Sequence, residues 1–229
     1  MIIPIKLKLS NAYLIQERKT ILVDTGAPNE AQKILATLQQ HRIKPSDISL
    51  ILHTHGHSDH VGSTAELRRS IAAPTAIHPD DTVMIERGHH GSLQGIGWRG
   101  QIMAYFINPR FPAFTPDVLL SDGMRLDDYG VAGKVLHTPG HTPGSVSIVL
   151  DDGQALIGDM VMGGYMGGNF LPKRPNIHYF ADDPVSNQTS LQNLLAQSPQ
   201  HLYVGHGGPL ESQSVLQMMD QTKQQAFQA

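Results

Sequence analysis

Apolar and polar residues alternate along this chain with two different periods, and the changes of period mark its elements. Ile2 to Leu9 and Ala12 to Gln16 read as a hairpin pair, and Thr20 to Asp24 as a buried strand closed by the turn Thr25-Gly26-Ala27-Pro28. From Asn29 to Arg42, Ala31, Ile34, Leu35 and Leu38 recur at helical spacing, which predicts an amphipathic helix. Ile48 to Leu52 is a second buried strand, and Val61 to Ile71 reads as a helix with Ser58 or Asp59 as its cap. Strands follow at Thr75 to His78, Lys134 to His137, Ser145 to Leu150, Ala155 to Gly158 and Leu202 to Gly205. Helices are predicted at Asp80 to Arg87, at Pro184 to Leu195 with Asp183 before its first-turn proline, and at Ser212 to Ala226.

Many of these strands succeed one another with no helix between them. That favours two mixed sheets packed together with helices outside over a doubly wound parallel sheet. The 229 residues suffice for one sizeable core, and neither an internal repeat nor a low-complexity linker divides them, so a single domain over 1–229 is expected. One stretch breaks the pattern. Residues 89–116 hold His89, His90, Trp98, Met103, Tyr105, Phe106, Phe111 and Phe114, including the chain's only tryptophan. Two readings apply: a core-packed insertion, or a cap or subunit contact spanning about 79–118. A homodimer through this region is the expectation for assembly.

Composition narrows the chemistry. The net charge of -3 supplies no basic excess for nucleic acid or anionic lipid, so the expected partner is a small-molecule substrate. No run approaches the roughly 20 apolar residues of a membrane span, and the first residues lack a secretory h-region, so a soluble cytoplasmic protein is expected. There is no cysteine, which excludes disulfides, thiolate ligands and a cysteine nucleophile.

The decisive run is Thr54-His55-Gly56-His57-Ser58-Asp59-His60, with three imidazoles and one carboxylate inside six residues. Such groups ligate zinc and neighbouring metals, and with no thiolate the site must be an N/O one. Three further signals stand at predicted strand ends: His141 in Thr138-Pro139-Gly140-His141-Thr142-Pro143-Gly144, Asp159 in Ile157-Gly158-Asp159, and His206 in Gly205-His206-Gly207. His53 and His137 precede these motifs within apolar strands and read as buried, hydrogen-bonded residues. His78, His89, His90, His178 and His201 carry no ligand spacing. Downstream, Gly163 to Phe170 reads as a flexible Gly-rich loop near the metals, and Tyr165 is a candidate for hydrogen-bonding a substrate carbonyl.

The order HxHxDH, turn His, strand-end Asp, GHG resembles the metallo-β-lactamase-fold superfamily from Asp24 to His206. The resemblance implies an α/β fold, a four-layer αββα sandwich of two mixed sheets flanked by helices. It implies that His55, His57 and His141 hold a first divalent metal, that Asp59, His60 and His206 hold a second, and that Asp159 bridges them. Asp24 becomes an acid orienting the ligand loops. Zinc is the expected ion, with iron or manganese as alternatives. A bridging hydroxide would be the nucleophile, aimed by Asp59.

The turn around His141 looks like that of glyoxalase II and its shorter relatives, and lactone-hydrolysing relatives share the ligand set. Only 23 residues follow His206, room for one helix instead of a glutathione-binding helical domain. The expected activity is hydrolysis of a small ester, thioester or lactone. The alternatives are an iron-dependent oxygenase of the persulfide dioxygenase type and a metal-dependent phosphodiesterase. Asp159 and the missing cysteine argue against antibiotic hydrolysis.

Overall fold

A computed structural model describes residues 1–106 and 109–228. A six-stranded sheet runs β1 (Ile2–Lys6), β2 (Asn11–Gln16), β3 (Thr20–Val23), β4 (Ile48–Leu52), β5 (Thr75–Ile77) and β6 (Val118–Leu119), in that order. The first three strands pair antiparallel and the last four parallel. A five-stranded sheet contains β7 (Gly133–His137), β8 (Val146–Leu150), β9 (Gln154–Leu156), β12 (His201–Tyr203) and β13 (Leu210–Glu211), in the order β13-β12-β9-β8-β7. It too is mixed, because β9 and β12 run parallel and its other pairs antiparallel.

The period-two pattern sorts side chains into three cores. Tyr13, Ile15, Ile21, Val23, Leu50 and Leu52 point inward and meet Val135, Val146, Ile148, Leu150 and Leu156 between the sheets. Their neighbours Leu14, Leu22 and Ile51 point the other way, against Ile34 and Leu38 of α1 (Ala31–Gln40) and Leu67 of α3 (Thr64–Leu67). On the far side, Val149, Ala155 and Leu202 pack on Leu191 and Leu194 of α6 (Pro184–Leu195) and on Val215 and Met219 of α7 (Ser212–Gln228). The result is the expected αββα order of layers. The central strands β2, β3, β4 and β8 bury both faces, and each buried large aliphatic side chain contributes about 1.5–3 kcal/mol relative to exposure. Among the described residues no helix is long and apolar enough to cross a membrane.

Three local expectations change. The single helix over Val61 to Ile71 is two short ones, α2 (Ser58–Val61) and α3, parted at Gly62-Ser63. Ser63 Oγ donates to Ala27 O and accepts from Glu30 N–H, which ties this break to the first ligand-bearing loops. His57, not Ser58 or Asp59, takes the N-cap position of α2, and no side chain caps it.

Residues 163–170 are not a free loop. They belong to a β-hairpin of β10 (Met162–Tyr165) and β11 (Phe170–Asn176). Gly163 donates to His206 O at 2.7 Å, and a Cβ at Gly163 would meet Pro172 O and Gly208 N. The glycines permit close packing here. They do not confer slack.

The 89–116 region is split. Phe111 and Phe114 join Val61, Ile77 and Ile85, with α4 (Thr82–Arg87) carrying Ile85, in a small core. Trp98 and Met103 lie on α5 (Gly97–Phe106) and are exposed. The side chains of Tyr105 and Phe106, and residues 107–108, lie outside the described residues.

Candidate metal centre

The site lies where strands end between the two sheets. β3 runs into Asp24, which adopts a left-handed conformation at φ 60° that Asp tolerates better than most residues. Its carboxylate thereby turns back to accept from Thr54 N–H, Thr54 Oγ1 and His60 Nδ1, each at 2.8 Å. One buried acid thus fixes both ends of the His run, in the role expected for it.

A second carboxylate does the same for the opposite loop. Asp81, wholly buried, accepts from Gly56 N–H at 2.7 Å, Thr142 Oγ1 at 2.7 Å and Gly144 N–H at 2.8 Å. It clamps the turn of His55 and His57 to the turn of His141. Burial raises its pKa, and the three donors oppose that rise. The sequence reading missed Asp81, since it lies in a short helix with no motif around it.

All seven expected ligands converge. The ligand atoms of His55, His57 and His141 lie within 4.8 Å of one another, as do those of Asp59, His60 and His206. Asp159 Oδ2 sits between the groups, 3.1 Å from His206 Nε2, 3.3 Å from His60 Nε2, 3.6 Å from His141 Nε2 and 3.9 Å from His55 Nε2.

Ring orientations fit a metal centre. His60 Nδ1 faces Asp24, His141 Nδ1 faces Phe180 O at 2.9 Å, and His206 Nδ1 faces Leu9 O at 2.8 Å. Each acceptor keeps a proton on Nδ1 and leaves Nε2 bare toward the centre. His55 Nε2, His60 Nε2 and Asp159 Oδ1 are buried without a hydrogen-bond partner, the condition of atoms shaped for an ion. His57 Nδ1 and His141 Nε2 face each other at 3.0 Å, as two acceptors do when a cation belongs between them.

Charge divides the cluster. Burial holds His55 and His57 well below the ordinary imidazole range and His141 down to about 4, so this half is neutral. Burial is the largest influence on His60 and His206 and works against their charge, but the neighbouring acids together outweigh it and raise both, Asp159 with Asp24 and Asp59 at His60, and Asp159 with Asp59 at His206. Burial opposes ionisation of Asp159, while His206, His60 and His178 hold it well below the carboxylate range.

The centre opens into a cavity of about 450 Å³. Its lining has a polar part, with His57, Asp59, Asp159, His178 and His206, and an apolar part, with Leu9, Leu93, Met103, Met162, Met166 and Phe180. Tyr165 is not among the lining residues. Its ring lies 6.5 Å from that of Phe170, with Arg174 5.9 Å above it. Of the histidines without ligand spacing, His90 and His178 do reach the site, and His90 lies 5.1 Å from the His57 ring. His53 is buried and hydrogen-bonded to Thr64 Oγ1, as expected, whereas His137 is only half-buried and stacks on His78 at 4.0 Å.

Two mixed sheets between helices, with a His/Asp cluster at the strand ends, define a metallohydrolase architecture. The chain belongs to the metallo-beta-lactamase superfamily, whose family model matches residues 5–206. It is 31% identical to an uncharacterised protein of Aquifex aeolicus over 90% of this chain and 88% of that one. It is 28% identical to "Probable metallo-hydrolase YflN" of Bacillus subtilis over 89% of this chain and 82% of the relative. Among solved structures, TTHA1623 in a di-iron-bound form matches with a TM-score of 0.64 at 30% identity, over 93% of this chain and 96% of that one. Rm3 metallo-beta-lactamase matches with a TM-score of 0.68 at 25% identity, over 90% and 75%.

Proposed function

We propose that the chain is a two-metal hydrolase of a small ester, thioester or lactone. The observation that carries this reading is the pair of candidate ligand groups with Asp159 between them, opening into a cavity whose lining is partly apolar. His55, His57 and His141 would hold one divalent ion, Asp59, His60 and His206 the other, with Asp159 between. Bound there, the ions supply a water acidic enough to act near neutral pH and polarise the substrate's carbonyl oxygen. The protein's own residues do the rest. Asp59 Oδ2, on the cavity wall 3.4 Å from His206 Nε2, accepts a hydrogen bond from the attacking water and aims it. Met162, Met166 and Phe180 hold the substrate's apolar part and exclude competing water.

Five imidazoles and two carboxylates accept zinc, iron or manganese. The di-iron form of TTHA1623 supports iron as one occupant. The oxygenase alternative uses only the first group, and the completeness of the second speaks for the two-metal reading.

The test is turnover of S-lactoylglutathione, acyl-thioesters, aryl esters, γ-lactones and a β-lactam by protein loaded in turn with zinc, iron and manganese. The expected result is two ions per chain and chelator-sensitive hydrolysis of an acyl compound. Oxygen uptake with one iron and no hydrolysis overturns the reading.

A further inference from the structure

Beyond the six residues of the two groups and Asp159 between them, the imidazole of His178 is aimed into the centre. His178 is buried, and its Nε2 lies 3.3 Å from Asp159 Oδ2. With His141 and Asp159 it forms a third group whose ligand atoms lie within 4.8 Å of one another. By distance alone it is an eighth ligand. The backbone beside it decides otherwise.

Residues 179–181 are extended against 94–96. Ile96 N–H donates to Tyr179 O, and Ala181 N–H donates to Gln94 O. In extended chain, successive residues present their polar groups to opposite edges, so N–H and C=O of Phe180 turn from residues 94–96 toward the histidines. Phe180 O receives the proton of His141 Nδ1. Phe180 N–H has one acceptor among the described residues, His178 Nδ1 at 3.2 Å.

The same Nδ1 lies 3.2 Å from Phe180 O as well, so the choice turns on which groups are left unpaired. A bare Nδ1 satisfies the buried N–H, whereas a protonated Nδ1 would orphan it and crowd a second donor onto Phe180 O, which already receives His141 Nδ1. Nδ1 of neutral His178 is therefore the acceptor, and Nε2 carries the proton. A protonated ring nitrogen has no lone pair for a metal, but it is a donor pointed at the shared acid.

We propose that His178 is a positioning residue, a hydrogen-bond donor that fixes the carboxylate plane of Asp159, and is not a metal ligand. This rests on the two-metal reading of the same site. The role is that of the outer partners that commonly orient ligating carboxylates. One strand thus serves both halves of the centre, its carbonyl orienting His141 and its N–H setting the tautomer of His178.

Two measurements test this on the full chain. In the first, the zinc-loaded protein with ¹⁵N-labelled histidine is examined by long-range ¹H–¹⁵N correlation. The expected spectrum shows His178 protonated at Nε2 and bare at Nδ1. A proton on Nδ1, or a zinc-shifted Nε2, overturns the proposal.

In the second, His178→Ala and His178→Gln are compared with His141→Ala. His178→Ala is expected to keep two ions per chain while kcat falls about 10- to 100-fold with KM nearly unchanged. His178→Gln, which can donate from a similar place, is expected to recover part of kcat. Loss of an ion from His178→Ala, as from His141→Ala, or undiminished kcat overturns it. If the wild-type protein hydrolyses no acyl compound, the functional reading fails, and the tautomer and ion content still decide the role of His178.

Discussion

The polar cluster and the apolar part of the cavity lining are built on opposite principles. In the cluster, polar atoms are assigned to specific partners. Asp24 and Asp81 each gather three donors, and three backbone carbonyls or carboxylates set the imidazole rings. In the apolar part of the lining, Met103 and Met166 are exposed at 38% and 76%. A buried, hydrogen-bonded cluster has one arrangement of low energy, because any orphaned group there is costly. A methionine-rich lining adapts, since the thioether side chain fills irregular space in several rotamers. The polar cluster is thus held in one arrangement, while the methionine-rich part of the lining is free to adapt.

Breaking the polar cluster at its root has the largest expected effect. Asp24→Ala leaves Thr54 N–H and His60 Nδ1–H without their acceptor, and should cost roughly 3–5 kcal/mol of stability in denaturant unfolding, together with bound metal. Asp81→Ala should lower metal affinity measured by chelator competition in the same direction. Preserved affinity in that variant would show that the clamp between the His57 and His141 turns is unnecessary.

Acid probes the buried base of the His run. Burial pushes His53 down to about 4, below the 6.5 of an ordinary histidine. Between those values the unfolded chain binds the proton that folded His53 refuses. Its contribution is therefore intact above about pH 6.5 and is lost as pH falls toward 4, by roughly 1.4 kcal/mol per pH unit and about 3 kcal/mol in all. Metal-free His53→Gln should show a correspondingly flatter decline of unfolding midpoint with acid, and parallel curves would refute the assignment.

Smaller changes sharpen the contrast. A Cβ at Gly205 would run into Asp159 Oδ1, with His60 Cε1 2.6 Å away, so Gly205→Ala should cost about 1–3 kcal/mol and disturb the shared acid. In the apolar part of the lining, Met166→Ala should change stability by no more than about 0.5 kcal/mol. Its effect should appear in KM, and most for substrates with long apolar groups. Equal loss across all substrates would tie Met166 to the polar cluster instead.

The convergence of the candidate ligands was legible because it is local. Four of the seven candidates fall within His55 to His60, and the others sit in short Gly/Pro-rich motifs at strand ends. Strands such as Thr20–Val23 and Ile48–Leu52 were equally plain, since continuous apolar runs bounded by turns bury both faces. Asp81 and His178 were not legible. Neither has a motif, and each acquires its role from groups brought near by folding: the Gly144 N–H is 63 positions from Asp81, and the Asp159 carboxylate is 19 from His178. The glycines of 163–168 misled for the same reason. Glycine marks slack and close approach alike, and only the neighbouring His206 turn distinguishes them.

By itself, then, the sequence determined the layer pattern, the absence of thiolate chemistry and the identity of the clustered donors, all set by short-range periodicity and residue type. The tertiary structure decided which partners orient the imidazoles, which acids clamp the loops and which side chains line the cavity. Those depend on hydrogen-bond partners distant in sequence, and a buried donor or acceptor is satisfied only by the neighbour that folding places beside it.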